Sequence, residues 1–147
     1  MLLGLGGCLH PPGEGTVSSA QFHLEGRSGL RAERATVVEL PVSGVTLSVD
    51  PLPVLVLEDI AKVDLAEVDL GRCLRFEFRG PAARALYRIS VEHRGSRLVL
   101  FLDGLPVGAR VLETVIEDGV LFTFVELPDA ALPALMEGLN DALRDRS

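Results

Sequence analysis

The side chains able to do chemistry are few and far apart. Histidine occurs only at positions 10, 23 and 93, so neither the HExxH pair of a zinc peptidase nor a compact metal cluster is available. Ser90 and His93 stand three residues apart within one helical stretch, but nothing marks a third group to orient the imidazole and there is no GxSxG elbow. Gly4-Leu5-Gly6-Gly7 precedes no strand-helix unit and lacks the lysine of a phosphate-binding loop. Glu58, Asp59, Asp64, Glu67 and Asp69 supply oxygens without the DxDxDG spacing of a calcium loop, and read as a solvated face. Asp103 and Asp118 each precede glycine, where turn geometry accounts for them. The expectation is a protein that is not an enzyme, with no catalytic residue, no cofactor and no metal.

Composition narrows the classes further. The 147 residues suit one domain, and 48% hydrophobic against 24% charged residues can bury a core. A net charge of -7 leaves no broad phosphate-neutralising surface, which excludes nucleic acid as a partner. All but one of the 14 basic side chains are arginine, the exception being Lys62. Arg72, Arg75, Arg79, Arg84 and Arg88 are scattered singly between apolar positions, the pattern of solvated faces. Mean hydropathy is +0.33, but charges interrupt every apolar stretch before the roughly 18 residues a membrane helix requires.

Two cysteines are too few for a disulfide framework. Cys73 opens the strand-like run 73–79 and reads as a small residue at a sheet edge. Leu5-Gly6-Gly7-Cys8 resembles the lipobox of bacterial lipoproteins, and that resemblance implies Cys8 as the lipid-attachment residue and the first mature position. Pro11, Pro12, Gly13 and Gly15 follow directly, as in a tether between an anchor and its domain. The other reading is a Gly/Pro-rich tail carrying an incidental cysteine. A Cys8–Cys73 bridge is conceivable in an oxidising compartment, and lipidation of Cys8 would exclude it. Residues 1–20 are therefore expected as signal remnant, lipid-attachment tail and linker, and 21–147 as a single domain.

The elements that must position any site are clearer. Residues 21–44 alternate poorly and stay ambiguous. Residues 45–49 alternate as a strand, stopped by Pro51 and Pro53. Residues 57–62 read as one short helical turn with acids at its start. Residues 63–70 and 73–79 pair around Gly71-Arg72, with Leu74, Phe76 and Phe78 on one face and Arg75, Glu77 and Arg79 on the other. Pro81 opens a helix whose stripe is Ala82, Leu86, Ile89 and His93, ended by Gly95. Residues 98–102 are continuously apolar, as in a strand covered on both faces, and lead through Asp103-Gly104 to a strand at 107–111. A strand at 120–125 follows Asp118-Gly119. The last helix, carrying Leu132, Leu135, Met136, Leu139 and Leu143, begins near Pro133, because deeper in the helix a proline would cost a backbone hydrogen bond. This order predicts an α+β two-layer sandwich: a mostly antiparallel sheet with two main helices on one face.

Several ordered pieces together resemble the first periplasmic domain of SecD, the auxiliary subunit of the bacterial protein translocase. They are Glu58-Asp59-Ile60 after a strand, the helix over 81–93, Gly95-Ser96-Arg97-Leu98, the run LVLFLDG at 98–104 followed by Pro106-Val107, and the Leu-rich last helix. The resemblance covers about 45–143. It implies a free-standing periplasmic, non-enzymatic module, without the transport function of SecD's membrane helices, that acts through contacts with an envelope protein partner; the lipid on Cys8, implied by the lipobox resemblance, would hold it to the membrane. Leu9, where a sorting Asp would stand, implies the outer membrane. The alternative is a soluble cytoplasmic binding or assembly subunit with a disordered N-terminus.

Overall fold

A computed structural model of the chain describes residues 17–26 and 35–146. The elements run β1 (Ala20–Leu24), β2 (Thr36–Glu39), β3 (Thr46–Val49), β4 (Leu55–Val56), a 3-10 turn (Leu57–Asp59), β5 (Ile60–Val68), β6 (Gly71–Phe78), α1 (Gly80–Glu92), β7 (Arg97–Leu102), β8 (Leu105–Val111), β9 (Val120–Val125), a 3-10 turn (Asp129–Ala131) and α2 (Leu132–Asp145). Seven strands form one antiparallel sheet in the order β4-β1-β7-β8-β9-β6-β5, and β2 and β3 form a separate two-stranded sheet. The α+β sandwich expected from the sequence is the observed class.

The sheet curls strongly. β1 and β6 are four strands apart in order, about 19 Å in a flat sheet, yet the Phe22 and Phe76 rings meet edge-on with centroids 5.1 Å apart and Phe22 reaches Phe78 at 5.8 Å. The concave face therefore closes on itself. Leu74, Phe76, Phe78, Leu98, Leu100, Leu102 and Leu121 line it, and Ala82 and Leu86 of α1 and Leu132, Leu135, Leu139 and Leu143 of α2 cover it. The convex face carries a second, smaller core. Val99 packs there against Leu40, Leu47 and Val49 from the β2–β3 hairpin, with Phe101 and Ala109 at its margin. Strand β7 is thus buried on both faces and lies between β1 and β8, as its unbroken apolar run predicts.

The fold refines the expectations at particular points. The ambiguous stretch supplies β1, an interior strand, and β2. Val17 and Ala20, inside the tract read as tail and linker, are buried, so the packed chain starts earlier than position 21. The helical turn read over 57–62 ends at Asp59, and β5 starts at Ile60. On α1 the buried stripe is Ala82, Leu86 and Ser90, with Ile89 only partly covered. Proline stands in the first turn of α2, where its missing N–H costs nothing.

The two halves of the sheet join at a narrow seam. β8 and β9 pair only through Gly108 with Val125 and Ala109 with Phe124, extended by the Glu126 N–H donating to the Val107 carbonyl at 2.7 Å. A Cβ on Gly108 would stand 2.1 Å from the Phe124 carbonyl oxygen. Backbone on backbone cannot yield as a flexible side chain does. Gly108→Ala is expected to destabilise the protein by about 1–3 kcal/mol, the usual cost of overpacking, read as a lowered urea midpoint; an unchanged midpoint would contradict this account of the seam.

Candidate functional site

Cys8 and His10 lie outside the described residues. The remaining candidates are dispersed among separate structural tasks. Ser90 is fully buried and makes no bond to His93: its hydroxyl donates to the Tyr87 carbonyl at 2.7 Å and accepts the Ile116 N–H at 2.9 Å. It fastens the β8–β9 loop to α1. His93 caps the C-terminus of α1, its Nδ1 buried without a hydrogen-bond partner among the described residues. His23 sits on the convex face, where Nδ1 meets the Asp50 carbonyl at 2.8 Å, Nε2 meets Gln21 Oε1 at 3.2 Å, and the ring leans on Phe101 at 4.6 Å. Its role is to pin the β3–β4 connection.

The acidic series does not converge on a cation site, and no group of three or more His, Cys, Asp or Glu among the described residues could hold a metal. Asp59 accepts the Val56 N–H at 2.9 Å. Asp64 lies between Arg75 at 3.4 Å and Lys62 at 3.6 Å, Glu67 pairs with Arg72, and Glu58 pairs with Arg146. Asp103, read as a turn former, is one: its φ of 48° and that of Gly104 at 84° make the tight β7–β8 turn. It has a further task that no local signal announces. Oδ1 accepts the backbone N–H groups of Ser18 and Ser19 at 3.0 and 2.9 Å, while Arg146 holds the Ser18 carbonyl at 3.1 Å. The chain thereby enters the domain through a polar clamp.

Two more latches escaped the sequence. Asn140 of α2 accepts the Val63 N–H at 3.0 Å and donates to the Val63 carbonyl at 2.8 Å, occupying the open edge of β5 as a neighbouring strand would. Glu126 at the end of β9 accepts from the Val42 and Ser43 N–H groups and the Ser43 hydroxyl at 2.7–2.9 Å. It holds the β2–β3 turn.

Scattered arginines are also gathered. A cavity of about 370 Å³ is lined by Ala61 and Lys62 of β5, Arg79 ahead of α1, and Asn140, Leu143 and Arg144 of α2. Large apolar side chains remain exposed elsewhere, among them Tyr87 and Val91, one turn apart on α1, and Leu70 at the β5–β6 turn, which is 85% exposed. No helix among the described residues is long and apolar enough to cross a membrane.

With this geometry in hand, the chain is similar in structure to a membrane component, SecDF, that enhances protein export: TM-score 0.61, 15% identity, covering 85% of this chain and 63% of that one. It is likewise similar to SecDF in a super-membrane-facing form, with TM-score 0.60 and 17% identity over 86% of this chain and 18% of that one. At such identities the likeness is one of fold, and it agrees with the SecD-like reading of the sequence. No protein-family model and no curated protein matches the chain.

Two measurements check the site chemistry. Burial pushes the Glu126 carboxyl up, but the hydrogen bonds from Ser43 and Val42 outweigh it and hold the group below its usual 4.5. A carboxyl depressed on folding stabilises fully above its unfolded pKa and loses that contribution as pH falls through the folded one. Resistance to urea is therefore expected to fall below pH 4.5, and Glu126→Ala to cost about 1 kcal/mol at pH 7 with a shallower acid limb. An acid limb identical in both proteins would contradict this. Burial also pushes the Cys73 thiol up, against a partial lowering by the Arg110 charge, so it stays protonated at neutral pH. Iodoacetamide is expected to label Cys73 in urea and to leave it unmodified in the native protein.

Proposed function

We propose that this chain is a non-enzymatic, SecD-like module of the bacterial cell envelope that serves protein export through contacts with other proteins. The single observation carrying the reading is the SecDF likeness over 85% of the chain. The topology supports the same view, because the polar side chains that could have formed a catalytic centre are spent on fastening strands and loops. Exposed Tyr87, Val91 and Leu70 offer apolar surface for a partner.

The finer reading adds a lipid anchor on Cys8 at the periplasmic side, with the outer membrane favoured by Leu9. The buried entry at Val17 leaves the preceding Pro/Gly-rich tract as the stretch that would span from lipid to domain. Cells expressing the native open reading frame are expected to incorporate radioactive palmitate into this protein and to lose the label in Cys8→Ala. No label in either would remove the anchor and leave the export module to be judged separately. For that, a photo-crosslinking residue at Tyr87 or Leu70 is expected to give a discrete adduct with a component of the export machinery in intact cells; adducts with none of its components from either position would overturn the export reading.

A further inference from the structure

The chain carries 21 acidic against 14 basic residues, yet the side chains lining the cavity between β5, the start of α1 and α2 include three cations and no carboxylate. We propose that this cavity binds a phosphate group, presented either by a soluble phosphorylated molecule or by an anionic lipid headgroup. The inference goes beyond the export reading and does not depend on it.

Lys62, Arg79 and Arg144 come from three elements and stand around one opening, so their like charges raise each other's energy unless an anion joins them. Two of the three cations have a carboxylate of the protein beside them. Lys62 has Asp64 at 3.6 Å, with 61% and 34% of the two side chains exposed, and Arg144 pairs with Asp141 on its own helix. Exposed pairs of this kind are weak and screened, and they yield to a better ligand. Arg79 has no carboxylate within ion-pair distance among the described residues. Its planar fork is the group that suits two phosphate oxygens at once.

Charge and size select the ligand class. A phosphate monoester carries close to two negative charges and three acceptor oxygens, a better match to three cations than one carboxylate, which brings a single charge. The volume falls within the range of small-molecule sites and accommodates the phosphate together with the group that bears it. The wall is held in place, because Asn140 is bonded to both backbone groups of Val63 beside Lys62. The start of α1 adds positive character on its side of the opening. Arg79 is the N-cap of α1, no acidic residue stands in that helix's first turn, and a Cβ on Gly80 would be 3.7 Å from Arg84 Nη1.

The test uses full-length protein carrying Cys8→Ala, so that no lipid on the chain contributes. Isotope-labelled protein is titrated with inorganic phosphate at low ionic strength against sodium chloride of matched ionic strength, and is separately sedimented with phosphatidylcholine vesicles with and without phosphatidic acid, whose headgroup is a phosphate monoester. The expected result is saturable amide shifts centred on residues 61–63, 79–83 and 140–144. Each of Lys62→Gln, Arg79→Gln and Arg144→Gln should weaken binding about five-fold, and the triple variant should abolish it. These side chains are exposed in part, so circular dichroism and thermal melting should show the triple variant folded. Saturable phosphate binding without sedimentation assigns a soluble ligand. Sedimentation that requires phosphatidic acid and is lost in the folded triple variant assigns the headgroup. Shifts that sodium chloride reproduces, no saturable binding to either probe, or a triple variant that binds as the parent does would each overturn the proposal.

Discussion

The fold depends on how closely two strands approach at one glycine. β4, β1, β7 and β8 make one half of the sheet and β9, β6 and β5 the other, joined by the short pairing of Gly108 and Ala109 with Val125 and Phe124 and the adjoining Glu126–Val107 hydrogen bond. A side chain at position 108 would occupy space that the Phe124 carbonyl already fills. Across this short seam the halves fold toward each other instead of lying flat, and Phe22 meets Phe76 and Phe78 across the concavity. Both helices then find a cupped apolar surface to fill. Burying that surface is the main favourable term for a domain of this size.

Polar side chains do their work around this core, not in a catalytic centre. Glu126 extends from the same seam to the β2–β3 turn, so the partial layer over the convex face is tied to the junction of the two sheet halves. Asn140 masks part of the β5 edge, Ser90 holds the β8–β9 loop against α1, and Asp103 clamps the entering chain. Each latch satisfies backbone groups at a place where strand pairing ends, which is where an unpaired N–H or carbonyl would otherwise be costly. The same arrangement leaves Lys62, Arg79 and Arg144 facing one cavity in an acidic protein. Structural bonds occupy His23, Ser90 and several of the acids, while Lys62 has an exposed carboxylate partner and Arg79 has no carboxylate within ion-pair distance among the described residues.

The elements whose pattern is local were legible in the sequence. Alternation in 73–79 placed Leu74, Phe76 and Phe78 on the core face, and the apolar run 98–102 announced a strand covered on both sides. Pro81 and Pro133 marked the helix starts, and Asp103-Gly104 the hairpin, because these residues act through their own backbone preferences. The α+β class follows from that order of elements. The SecD-like resemblance read over 45–143 agrees with the structural likeness found over 85% of the chain.

What pairs distant residues had to wait for the tertiary structure. Nothing near Gln21 to Leu24 announces an interior strand, since β1 gains its place from β7 some eighty residues later. Thr123 faces the concave core while the bulkier Phe122 and Phe124 on the other face are only half buried, so strand parity, fixed by the register with Leu74, overrode side-chain size. Asn140, Glu126 and Arg79 look like ordinary surface residues in one dimension. Their roles arise only where the fold brings a helix to a strand edge, a strand end to a turn, or three cations to one opening, and a contact between residues far apart in the chain leaves no periodicity in the sequence to read.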